Sequence, residues 1–164
     1  MRLVLDTDVV VAALRSDQGA SRQLLLAALD RRITMLASVP LMLECEAVLT
    51  RPEQLDKIGL SAPEINVVLD TLASVIEPVP LHFVWRPRLK DPADEMVLDT
   101  AVNGHADRLA TFNLRHLRNA AMEFGIRADR PGAILGEFEE NEHEKEQRRP
   151  APSDFVAGGS QACR

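Results

Sequence analysis

A chain of 164 residues with 46% hydrophobic content suits one domain with its own core, and 4% aromatic content makes that a core of Leu, Val and Ala. A net charge of −6 excludes the broad basic field of a plain DNA-binding module, but not an enzyme whose acids hold cations. Cys45 and Cys163 give neither zinc spacing nor a disulfide framework, and Asp6 and Asp8 interrupt the opening apolar run before it could act as a signal peptide. With no apolar stretch of membrane-spanning length, a soluble, cytoplasmic protein is expected.

In chain order, Arg2 to Leu5 has the β-branched and Leu-rich character of a buried parallel strand. Val9 to Leu14 suits a helix capped by Asp6 or Asp8, Ser16 to Gly19 a turn, and Ser21 to Leu29 a second helix. Ile33 to Ala37 predicts a strand, and Ser38 with Pro40 opens a helix that Arg51-Pro52 stops near Leu49. Ser61 and Glu64 form a capping-box pattern ahead of the stripe Ile65, Val68, Leu69 and Leu72. Val75 to Val79 suits a strand, and Leu81 to Lys90 is irregular and basic. Asp91-Pro92 starts a helix ending near Gly104, and Arg108 to Thr111 predicts a strand. Asn113 to Phe124 is expected as short helical turns, Ile126 to Ala128 as a weak strand, and Pro131 to Phe138 as a last helix.

From Glu139 the chain is charged and then rich in Pro, Gly, Ser and Ala, a composition expected to be a disordered tail over 139–164. Strands alternating with helices through residue 138 predict an α/β fold, a three-layer α/β/α sandwich around a mainly parallel sheet. Ligands of such sheets bind beyond the carboxyl ends of the strands, which is where Asp6 falls.

Three acids carry the functional reading. Asp6 ends the first strand, though a helix cap alone would account for an isolated Asp there. Glu44 falls with Leu41 and Val48 on an apolar stripe, where an ionised carboxylate needs a cation or an arginine such as Arg22 or Arg51. Asp94 heads the stripe Asp94, Leu98, Ala101 and His105, whereas Asp91 and Glu95 are accounted for by a helix start. Three inward carboxylates from separate elements suit an oxygen-liganded Mg²⁺ or Mn²⁺.

The segments Leu3 to Leu14, Ser38 to Pro52, Asp91 to Ala101 and Ala106 to Asn113 resemble, in order, the four motifs of the PIN-domain ribonucleases, in particular the VapC-like toxin components of bacterial toxin–antitoxin systems. The resemblance covers residues 1 to 138. It implies that Asp6, Glu44 and Asp94 hold Mg²⁺ or Mn²⁺, that Thr111 positions substrate or a metal-bound water, and that Asn113 stands at a catalytic position usually acidic. A bound water would attack the RNA phosphodiester in line, leaving 5′-phosphate and 3′-hydroxyl ends. His116 is a candidate for proton transfer or an ordinary surface residue. Arg86, Arg88, Lys90, Arg115 and Arg118, with Trp85 as a stacking platform, are candidates for gripping RNA, although most of them taken singly read as ordinary solvated residues, with Trp85 packed in the core. The implied partners are an RNA substrate, a small antitoxin protein and a second copy in a homodimer.

Three other readings stand beside this one. Asp6-Thr7-Asp8 imitates the nucleophile motif of haloacid-dehalogenase-type phosphatases, with Lys90 in the role of their lysine, but leaves Glu44 unexplained. Asn113 keeps open a PIN-like RNA- or protein-binding module with a weakened site, and the tail a structural interaction domain.

Overall fold

The computed structural model describes residues 1–84 and 89–148. Trp85, Arg86, Arg88 and the segment 149–164, with Cys163, lie outside the described residues. The elements are β1 (Arg2–Leu5), α1 (Thr7–Arg15), α2 (Ala20–Leu29), β2 (Thr34–Ala37), α3 (Val39–Leu49), α4 (Pro52–Ile58), α5 (Ala62–Ala73), β3 (Glu77–Pro78), α6 (Pro92–Asn103), β4 (Arg108–Ala110), α7 (Leu114–Met122), β5 (Arg127–Asp129) and α8 (Pro131–Gln147).

The five strands pair in the order β3-β2-β1-β4-β5, and every pairing is parallel. Alternation along the strands sends side chains to opposite faces. Leu3, Leu5, Met35 and Ala110 join a core with α1, α2, α3, α5 and α8, while Val4, Leu36, Leu109 and Ala128 face α6 and α7. Both faces are therefore covered, as a parallel sheet requires, and the expected three-layer α/β/α sandwich is the fold.

Local chemistry accounts for most boundaries. Ser38 caps α3 by accepting from Leu41 N at 3.4 Å, and Asp91 caps α6 by accepting from Ala93 N at 2.9 Å. Glu64 completes its capping box by accepting from Ser61 N at 2.8 Å.

Four expectations need correction. Arg51-Pro52 stops α3 but also starts α4, since proline suits a first helical position and Gly59, at φ 77°, closes the helix. The third strand is Glu77–Pro78 rather than Val75 to Val79, a short edge strand where the missing proline N–H is tolerated. Leu114–Met122 is one regular helix, anchored by buried Leu117 and Ala121.

The fourth concerns the tail. α8 continues through the charged segment to Gln147 instead of ending at Phe138. Arg32 lies 5.0 Å from the centroid of the Phe138 ring and pairs with Glu142 at 3.6 Å, so the turn between α2 and β2 holds the helix onward. Pairs Lys145–Glu142 and Arg148–Glu144 add the local support that apolar burial does not.

Gly104, which ends α6, sits where three elements converge. A Cβ there would lie 2.9 Å from Thr100 O, 2.9 Å from Val79 Cγ2 and 3.0 Å from Leu36 Cδ1, and its carbonyl accepts from Arg2 Nη2 at 2.9 Å. Gly104→Ala is expected to lower stability by about 1–3 kcal/mol, the range of overpacked interiors. Urea unfolding measures this, and an unchanged midpoint would show that the contact relaxes freely.

Candidate active site

The strand order reverses at the β1/β4 boundary, where successive crossovers leave a crevice beyond the strand ends. Asp6 follows β1 and is tied to the neighbouring strand through its N–H, which donates to Ala110 O at 3.0 Å. It occupies the N-cap position of α1 yet makes no side-chain cap bond. Instead its Oδ2 accepts the hydroxyl of Thr111 at 2.6 Å, so the capping explanation does not describe it.

Thr111 is 0% exposed, and its Oγ1 also accepts Asn113 N at 2.9 Å. With its lone pair engaged there, the hydroxyl proton is directed at Asp6. Asp94, carried in by the capped start of α6, is 6% exposed. Its two oxygens accept from Asn113 Nδ2 at 3.1 and 2.8 Å. His116 Nδ1 lies 3.2 Å from Asp94 Oδ2 and 3.1 Å from Asn113 Nδ2, and can donate to the first or accept from the second but not both at once.

The pocket disfavours further negative charge. Asp6, 8% exposed, has its pKa pushed up to about 6, chiefly by burial. The Thr111 hydrogen bond works against that rise, while the Asp8 and Asp94 charges add to it. No described cation sits against Asp6; the group in closest contact is a hydroxyl.

Glu44 stands differently. The inward face of α3 is Leu41, Cys45, Val48 and Leu49, leaving Glu44 half-buried at the edge of the stripe. It makes no ion pair with Arg22 or Arg51, and among the described residues no three His, Cys, Asp or Glu side chains come close enough to share a metal ion. The structure thus brings together Asp6, Asp94, Thr111, Asn113 and His116, and among the described residues no hydrogen bond or ion pair joins Glu44, on α3, to them.

Other buried polar residues had no clear sequence signal. Thr7 Oγ1 lies 3.5 Å from Cys45 Sγ, joining α1 to α3, and Ser38 Oγ lies 2.7 Å from Thr100 Oγ1, joining α3 to α6. Glu95 is buried and accepts Leu89 N at 2.6 Å, so it does more than begin a helix. Of the basic candidates, Arg118 is paired with Asp129 at 3.2 Å, whereas Lys90 and Arg115 are exposed.

A model of the PIN domain matches residues 2–115, a span holding all four motif segments and every pocket residue except His116. The chain belongs to the PIN domain family. No curated protein matches the sequence. PIN domains are generally nucleases that act on RNA and typically use divalent metals, and the five-stranded parallel sheet with helices on both faces is consistent with their fold. This places the chain with nucleases rather than with dehalogenase-type phosphatases. Among the described residues, no helix is long and apolar enough to cross a membrane.

A divalent cation suits the pocket's donor set. Asp6 and Asp94 present buried carboxylate oxygens of the hard type that Mg²⁺ and Mn²⁺ prefer, and Asp6 lacks a compensating charge. Asn113 partly satisfies Asp94 through its amide nitrogen, and its carbonyl oxygen offers a neutral alternative ligand.

Proposed function

We propose that this PIN domain is a metal-dependent endoribonuclease and the toxin of a toxin–antitoxin pair. The carrying observation is the hydrogen-bonded series from Asn113 N–H through Thr111 to Asp6, beside a buried Asp94. Asp6 and Asp94 are the ligands that would hold Mg²⁺ or Mn²⁺, and Glu44 is the third carboxylate by the motif resemblance, for which its side chain would have to turn toward the pocket. The bound cation would lower the pKa of water for attack on a phosphodiester and offset charge on the phosphate oxygens.

Each residue then has a task. Thr111 holds Asp6 in one orientation through its donated proton. Asn113 fixes Thr111 with its backbone N–H and Asp94 with its side chain. His116 keeps an imidazole nitrogen at the pocket edge, in reach of Asp94 and suited to carry a proton to the departing 3′ oxygen. The toxin role, a small antitoxin covering the acidic pocket and homodimerisation follow from the motif resemblance, and a cytoplasmic location from the sequence's composition and cysteine usage.

Cleavage of mixed single-stranded RNA with and without Mn²⁺ or Mg²⁺ tests the reading. Wild-type protein is expected to cut only with metal, and Glu44→Gln to lose at least tenfold in rate, the scale seen when a metal site's supporting groups are lost. Undiminished cleavage by Glu44→Gln would remove Glu44 from the site. One observation favours a second reading, a weakened RNA-binding module: Asp94 already has a neutral amide on both oxygens where the family usually places an acid. A wild type that binds RNA with no metal affinity would select it.

A further inference from the structure

We propose that the cleft between α1, α2 and α8 is a second RNA subsite, holding a phosphate and a stacked base next to the bond to be cut. The identity of the strand rests on the nuclease reading above. The cleft encloses about 530 Å³ and is lined by residues that include Ala12, Gly19, Ser21, Phe112, Arg130 and Gly132.

Two helices begin at this cleft. α2 starts after Gly19 and α8 after Arg130, neither has a side-chain cap bond, and neither has an acid in its first turn. In α8 Pro131 has no N–H and Ala133 N donates to Arg130 O at 3.0 Å, so Gly132 carries the N–H without an intrahelical acceptor there, and the positive ends of both dipoles meet at one place. The buried wall carries a separate observation. Ser21 is 5% exposed and lines the cleft, yet its hydroxyl has no hydrogen-bond partner among the described residues. Since none of the fully enclosed side-chain polar atoms is left unsatisfied, that hydroxyl is one that still reaches the cleft. Ser21 thus offers the cleft a hydroxyl that no described protein group engages, on a side chain otherwise buried.

Charge and ring follow the same direction. Arg130 is exposed with no ion pair among the described residues, while its neighbours Arg118 and Arg127 are both held by Asp129. Phe112 is 46% exposed on the cleft wall. It stands in the chain between Thr111 and Asn113, whose side chains contact Asp6 and Asp94. An anion beside an open aromatic face is the repeating chemistry of a single nucleic acid strand. The opposing charges nearest in sequence are Asp129, paired with Arg118 and Arg127, and Asp17, exposed in the loop between α1 and α2.

The test uses a fluorescein-labelled single-stranded oligoribonucleotide in EDTA, followed by anisotropy over a range of salt. Arg130→Gln and Phe112→Leu are each expected to weaken binding about tenfold, the scale of one lost stacking or phosphate contact. Arg130→Gln should also flatten the salt slope by about 0.7, the value for one phosphate of a single strand. Gly132→Asp separates binding from folding. A Cβ there meets nothing within 4 Å, and an acid in the first turn favours α8, so the melting temperature should hold or rise while RNA affinity falls.

With metal added, the same variants should raise KM and leave kcat nearly unchanged. RNA affinity and KM unaffected by all three substitutions, in a protein that cleaves, would overturn the subsite. So would a poly-glutamate peptide that competes more strongly than RNA, which would assign the cleft to an acidic protein partner. Wild-type RNA binding with an Arg130-dependent slope but no cleavage under any metal would support the subsite and defeat the nuclease reading instead.

Discussion

Asp6→Asn is expected to abolish metal-dependent cleavage and, in the same protein stripped of metal, to raise stability at neutral pH. The two effects have one origin. Asp6 is buried near Asp8 and Asp94, and its pKa is pushed from 3.8 to about 6. A raised folded-state pKa means that stability present below the unfolded value is lost as pH climbs through the folded value. The loss therefore develops between about pH 4 and pH 6, and the shift of roughly 2 units corresponds to about 3 kcal/mol. Asn keeps an oxygen for the Thr111 hydroxyl and removes the charge, recovering much of that stability.

Melting curves of both proteins in EDTA, from pH 4.5 to 7.5, measure the difference. The comparison is needed because Glu137 and Glu142 have lowered pKa values through their arginine and lysine partners. Their contributions run oppositely, present at higher pH and lost on acidification. A gap between wild type and Asp6→Asn that stays constant across this range would refute the repulsion account. Active sites commonly hold such unfavourable charge, and a cation would relieve it.

The second large effect is expected at position 113. Asn113→Asp replaces an amide that donates to both oxygens of Asp94 with a third buried-side charge. Without metal the variant should lose about 1–3 kcal/mol, from the missing donor and the new repulsion. With Mn²⁺ the order reverses: affinity should rise roughly tenfold to hundredfold, cleavage should increase, and saturating metal should restore the melting temperature. Calorimetric titration with Mn²⁺ decides. Equal metal affinity in the two proteins would place residue 113 away from the ion.

Much of this molecule was legible before its structure. The run Leu3 to Leu5, the cap Ser38 and the Asp91-Pro92 start each combine local chemistry with a burial pattern, and the corresponding elements formed where expected. The failures are equally specific. Pro52 read as a stop hid the start of α4, because proline has both uses. α8 outran its apolar stripe because the support for its second half comes from Arg32, in the turn between α2 and β2, a tertiary contact with no trace in local composition.

At the site, Asp6, Asp94 and Thr111 lie where their strand and helix ends put them. Glu44 does not follow its pattern, since a stripe built from Leu41 and Val48 admits either residue 44 or residue 45, and packing chose Cys45. His116 reaches Asp94 only because α7 forms as a helix directly after Asn113, which short turns would not have achieved.

The pocket also has a history within each molecule's synthesis. Asp6 and Thr111 are 105 residues apart in sequence, and β1 is flanked by β2 on one side and β4 on the other. A growing chain can pair β1 with β2 early, but the edge that β4 will occupy stays open until most of the domain has emerged. Half-made chains accordingly carry Asp6 without its hydroxyl partner or Asp94, so the pocket is assembled only as synthesis of the domain nears completion.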